Sequence, residues 1–217
     1  MTSMTQAPHK AHLFQKALQL LITIDGDIAR TYANYGAPKD RFLPEGFETL
    51  AKIIIGQQIS RQAASHIWQR MVEADLTSCV PIANATDSDL RQCGLSLRKA
   101  GYLRDIAQNI LNGSLPIEEF AQLPVAEVTA HLLGQKGVGP WTADNYTLFA
   151  LGDMNAWPSN DIALQEGMKR LKSLNQRPSQ QEMDEIAAGW HPYRGAGALF
   201  LWHIYAIEVR KAAPSDI

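Results

Sequence analysis

The chain has 217 residues, 46% hydrophobic and 19% charged, an ordinary globular composition with length for one large or two small cores. No apolar run approaches the ~18 residues of a membrane span. Cys79 and Cys93 are the only cysteines, which excludes a disulfide framework and any four-cysteine metal or iron–sulfur site.

The formal net charge of −2 does not advertise a polyanionic partner, but its distribution says more. Arg91, Arg98, Lys99 and Arg104 fall in one stretch without an acid, and Lys169, Arg170, Lys172 and Arg177 in another. Two such patches suit a polyanion bound on one face, or equally two solvated helix faces.

In chain order, MTSMTQAPHK lacks the basic-then-apolar form of a signal peptide and reads as a loose tail. Residues 11–34 carry Leu13, Phe14, Leu18, Leu21, Ile22 and Ile28 at helical spacing. A Pro/Gly-rich connector follows over 35–46, and a long helix is expected from Phe47 to Val72. Gln57 and Gln58 then sit mid-helix between Ile55 and Ile59, either as a polar lining or as a satisfied buried amide beside a surface neighbour. ATDSDLRQCG predicts a short helix with Thr86 as N-cap and Gly94 as stop. Further helices are expected over 97–112, from Pro124, and over 140–151. Ser179 and Glu182 form a capping box, and a last helix runs from Tyr193 to Lys211. No window alternates with period two, so the expected fold is all-α. The connectors suggest one helical lobe at 46–151 and a second formed by 1–45 plus 152–217, with a cleft between lobes as the expected place for a site.

KGVGPWTADNY, residues 136–146, carries the first chemical signal. Gly137, Val138 and Gly139 precede a helix whose first-turn N–H groups and positive dipole end suit an anion such as phosphate. A plain helix–turn–helix connection uses the same residues. Asp161, after Ser159 and Asn160, reads by itself as a helix N-cap. His191 and His203 have no metal-ligand spacing, and Pro192 and Gly195 read as structural.

Five segments in order now resemble one family: IIIGQQIS (53–60), GLSLRKAGYLRDIA (94–107), LLGQKGVGPWTADNY (132–146), PSNDIAL (158–164) and WHPYRGAGALFLWH (190–203). Together they resemble the helix-hairpin-helix DNA glycosylase superfamily, in its 3-methyladenine DNA glycosylase II (AlkA-like) branch, over roughly residues 45–210. The resemblance implies a monofunctional base-excision repair enzyme acting on alkylated purines in duplex DNA, expected as a monomer. Cysteine usage and the lack of a long apolar run lead to the expectation of a cytoplasmic, bacterial-type nucleoid setting with no membrane partner.

By that resemblance Asp161 is the catalytic carboxylate, facing the positive charge that builds on deoxyribose as the N-glycosidic bond breaks. The hairpin residues Lys136, Gly137, Val138 and Gly139, with Thr142, would hold a backbone phosphate. Carbonyls of Leu133, Lys136 and Val138 would bind a structural monovalent cation, and no cofactor is needed for the chemistry. Trp141 occupies the place where strand-cutting relatives keep a lysine, and tryptophan forms no Schiff base. Trp141 and Trp202 would line the base pocket, as core or as stacking walls, with Gln57, Gln58, Asn145 and Ile162 around them. Asn145 and Ile162 stand where some relatives have aromatics, which opens the substrate range. A glycosylase for oxidised, deaminated or mismatched bases, and a non-catalytic helix-hairpin-helix DNA-binding module, remain alternatives at this point.

Overall fold

The computed structural model describes residues 6–211 and is all-α, with no strand among the described residues. None of its helices is long and apolar enough to cross a membrane. Residues 1–5 of the expected tail lie outside the described residues, but helix α1 (Gln6–Ile24) already begins within it. Pro8 does not prevent this, because a first-turn proline lacks only an N–H that would go unpaired anyway.

The expected helix over 11–34 is two. Asp25 takes an extended conformation and its carboxylate accepts from Asp27 N and Ile28 N, starting α2 (Gly26–Tyr35). Asp25-Gly26 is a breaker whose signal the apolar periodicity overrode.

The expected helix over 47–72 also divides, into α3 (Phe47–Gly56) and α4 (Arg61–Glu73). Gln57 and Gln58 are therefore not mid-helix. Gln57 leaves the helix at φ −55°, ψ 128°, Gln58 adopts a left-handed φ of 58°, and Ser60 caps α4 through Ala63 N. Gly56 followed four residues later by a serine cap was the available sequence signal.

Next come α5 (Cys79–Asn84), α6 (Asp87–Gln92) with the expected Thr86 cap completed by Asp89 into a capping box, and α7 (Leu97–Leu111) capped by Ser96. Helix α8 (Val125–Leu133), the hairpin and α9 (Pro140–Tyr146) follow, and the chain widens into a π turn over Thr147–Leu151. The remaining helices are α10 (Ile162–Leu171), α11 (Gln180–Ile186) and α12 (Arg194–Ile204), the last ending in a π turn at Tyr205–Val209.

The chain forms two compact units. One is Leu43–Leu151; the other joins the described parts of Met1–Phe42 and Gly152–Ile217. The first buries Leu50, Ile54, Met71, Leu103, Ile106, Phe120 and Tyr146 in one core, each aliphatic or aromatic side chain worth about 1.5–3 kcal/mol against exposure. Tyr146 is fully buried, its hydroxyl accepts from Gly46 N at 2.9 Å, and burial pushes its pKa well above that of a free phenol.

The second unit buries Phe14, Leu18, Leu21, Leu164, Met168, Phe200 and Ile204. Helices α10 and α12 cross closely because Gly167 has no side chain. A Cβ there would lie 2.4 Å from the Leu201 carbonyl oxygen, so only glycine permits this approach.

Candidate functional site

The close crossing at Gly167 matters because it brings the start of α10 beside Trp202 on α12. Asp161 is the N-cap of α10, and its Oδ1 accepts from Leu164 N at 2.9 Å. The same oxygen accepts from the Trp202 indole N–H at 3.2 Å. Both residues are half-buried. The turn before the cap is pinned, since Asp161 N donates to Pro158 O at 2.9 Å and buried Gln165 donates its amide to Ser159 O at 3.0 Å. Asp161 is thus a helix cap, and capping fixes its carboxylate in one orientation at the positive end of a helix. Ile162, next along, is 61% exposed.

The other unit assembles the hairpin. Gly137 sits at φ 82°, and a Cβ on it would lie 2.1 Å from the Tyr102 ring. Gly139 is different: at φ −103°, ψ −179° it is ordinary extended backbone, as a residue before proline prefers, and a Cβ there meets nothing within 4 Å. Val138 is buried and its N–H donates to Gln135 O at 3.1 Å, anchoring the tip in the core. No hydrogen bond among the described residues uses the N–H of Gly137 or Gly139, or the carbonyls of Leu133, Lys136 or Val138.

Gln57 joins this hairpin, with Nε2 donating to Gly137 O and to Thr142 Oγ1, both at 2.9 Å. Thr142 is thus buried and engaged within the protein. Exposed Gln58 and Ile59 line a cavity of about 450 Å³ together with Ser96, Arg98, Tyr102 and Gly137. Lys136 is 80% exposed and pairs with Asp105 at 3.4 Å, a contact that solvent screens. Trp141 is half-buried, and Asn145, 5% exposed, donates its amide to Trp141 O at 2.6 Å.

The structure thus pairs Asp161 with Trp202 in one unit and Gln57 with Gly137 and Thr142 in the other. Sequence reading missed Gly167, Lys99 and Tyr102. The last two stood in GLSLRKAGYLRDIA, which was read as a basic stretch and as a segment of the family resemblance, with no role given to either residue. Among the described residues no group of three or more His, Cys, Asp or Glu side chains is placed to hold a metal.

Residues 51–192 match the HhH-GPD superfamily base excision DNA repair protein family. DNA-3-methyladenine glycosylase of Bacillus subtilis is 27% identical over 175 residues, covering 75% of this chain and 58% of its own length. DNA-3-methyladenine glycosylase 1 of Schizosaccharomyces pombe is 27% identical over 180 residues, covering 81% of this chain and 79% of that one. Among solved structures, the S. pombe 3-methyladenine DNA glycosylase in complex with abasic DNA has a TM-score of 0.81 at 26% identity, over 92% of this chain and 98% of that one. The chain spans 58% of the length of the Bacillus subtilis relatives it matches. With the family match extending over most of the chain, this protein belongs to the HhH-GPD superfamily of base excision DNA repair proteins.

Proposed function

We propose that this protein is a monofunctional DNA glycosylase that hydrolyses the N-glycosidic bond of alkylated purines of the 3-methyladenine type in duplex DNA. The observation that carries this reading is Asp161, a carboxylate fixed by Leu164 N–H and the Trp202 indole in a chain of this repair family. The relatives named above as 3-methyladenine glycosylases support the substrate class.

As the base leaves, positive charge develops on the deoxyribose, and a preorganised carboxylate opposite C1′ stabilises it. The same group orients the attacking water. An alkylated purine is already cationic and leaves without protonation, so a second acid is not required. Trp202, held against Asp161, acts as a stacking wall for the flipped base, adding a cation–π attraction of about 0.5–2 kcal/mol. Without a lysine nucleophile at Trp141, the product is an intact strand bearing an abasic site.

The N–H groups of Gly137 and Gly139 are the donors for a backbone phosphate. The carbonyls of Leu133, Lys136 and Val138, engaged by no described donor, fit a monovalent cation, which would add positive charge beside that phosphate.

Two glycine variants separate grip from turn. Gly139→Ala is expected to keep the wild-type Tm, because its backbone and space accept a methyl. It should weaken duplex binding roughly tenfold by blocking close approach of the phosphate. Gly137→Ala should instead lower stability by about 1–3 kcal/mol through its positive φ and the Tyr102 ring. Thermal melts and a DNA-binding titration check both; full duplex affinity in Gly139→Ala would remove that amide from the contact. The activity itself is tested by incubating the protein with methylated duplex DNA, where free methylated purine should appear while the strand stays uncut.

A further inference from the structure

We propose that Lys99 is a positioning residue for the phosphate grip: it clamps the turn after α3, and that turn in turn holds the hairpin through Gln57. The proposal rests on reading the hairpin as a phosphate site.

The geometry is a closed set of contacts within one unit. Lys99 Nζ donates to Ile55 O and to Gln57 O, both at 2.7 Å. The last carbonyls of a helix lack intrahelical partners and carry the negative end of its dipole, so a cation there both satisfies and neutralises them. Lys99 pairs with no carboxylate among the described residues. Half-buried, it has its pKa drawn below the usual lysine value by burial and then by neighbouring Arg98. A solvated surface lysine has no reason to accept that cost; one that closes a helix end does.

The clamp sets the backbone around Gln57 and the left-handed Gln58, and so fixes where the Gln57 amide points. Both N–H groups of that amide are spent on the hairpin and its helix, at Gly137 O and Thr142 Oγ1. One turn beyond Lys99 on the same face of α7, Tyr102 lays its ring against the Cα of Gly137. Helix α7 thus holds the hairpin directly through Tyr102 and indirectly through Lys99 and Gln57. Freed of either support, the amides of Gly137 and Gly139 would lose their common aim.

A lysine near a DNA site invites a different role, as a phosphate ligand. Salt dependence distinguishes the two, because each phosphate contact contributes about 0.9 to the slope of log K against log salt. Arg98 is the internal comparison. It is exposed and lines the 450 Å³ cavity, and its side chain makes no ion pair or hydrogen bond among the described residues.

The experiment measures affinity for a labelled duplex carrying a tetrahydrofuran abasic analogue, between about 50 and 200 mM NaCl. Lys99→Met and Gln57→Ala are each expected to weaken binding roughly tenfold with the wild-type slope. The double variant should bind about as weakly as either single one, since both break the same chain of contacts. Lys99→Arg, which keeps charge and donors, should recover most of the affinity, and Arg98→Met should flatten the slope by about one unit. A flattened slope in Lys99→Met, additive losses in the double variant, or wild-type affinity in either single variant overturns the proposal. Should Lys99→Met fail to fold, Gln57→Ala decides alone, because it leaves the backbone acceptors of Lys99 in place. A wild-type protein without salt-dependent affinity for the duplex would instead sink the phosphate reading of the hairpin itself.

Discussion

Replacing Asp161 by asparagine is expected to slow single-turnover base release by roughly 10²–10³-fold, the usual cost of removing one preorganised electrostatic group from a transition state. The fold should not notice. Asparagine caps helices as well as aspartate does, and its carbonyl oxygen can still accept from Leu164 N and the Trp202 indole. The Tm should therefore move by less than about 2 °C. Because the cap survives and the charge does not, the variant separates the two roles that this residue combines. A full single-turnover rate in Asp161→Asn would reduce Asp161 to a helix cap.

The largest expected effect on stability comes from Asp25→Ala. Asp25, with its side chain 10% exposed, accepts from Lys172 Nζ at 2.7 and 2.8 Å, from Trp190 Nε1 at 2.8 Å, and from two amides of α2. The truncation leaves the buried Trp190 N–H unpaired, uncaps α2 and takes from Lys172 one of its two carboxylates, the other being Asp27 at 2.8 Å. Breaking a buried pair costs about 3–5 kcal/mol, and the surviving Asp27 places this case near the lower end. The Tm should then fall by about 6–12 °C for a chain of this size.

The pH dependence has a definite sign. Burial raises the pKa of Asp25, but the Lys172 and Trp190 hydrogen bonds, the Lys172 charge and the Ile28 amide together bring it below the usual aspartate value. A depressed carboxylate stabilises the fold above its unfolded pKa of about 3.9 and loses that contribution as pH falls through the lower folded value. The gap in Tm between wild type and Asp25→Ala should thus be full at neutral pH and narrow below about pH 4. A gap that stays constant into acid would place the stabilisation in packing, not charge. Melts across that range decide it.

Much of the architecture was legible because helices announce their ends. Thr86, Ser179 and their partners Asp89 and Glu182 specify capping boxes by local chemistry alone, and the structure contains both. Apolar periodicity misled where two helices continue almost in register across a short break. At Asp25 and at Gly56–Ser60 the apolar pattern runs on, while the interruption depends on partners distant in sequence: Lys172 and Trp190 for the first, Lys99 and Gly137 for the second. The candidate site was readable as residue types at family spacing. Its supports were not. Gly167 looks like any weak point in a helix until the Leu201 carbonyl is found against it. Lys99 counts as one more cation until its two carbonyl partners are seen. Gln57 and Gln58, expected on a helix face, divide between bracing the hairpin and facing solvent.

The central claim is hydrolysis of the bond between an alkylated purine and its sugar. Its most direct test quantifies the free bases released when the protein is incubated with duplex DNA treated with a simple methylating agent, beside duplexes carrying single neutral lesions. Cationic methylated purines should be released, with strands that stay intact until alkali cleaves the abasic sites. Release of uncharged bases alone would contradict the charged-leaving-group chemistry assigned to Asp161 and Trp202. Salt-sensitive DNA binding with no base released from any duplex would mark the protein as a binding module instead.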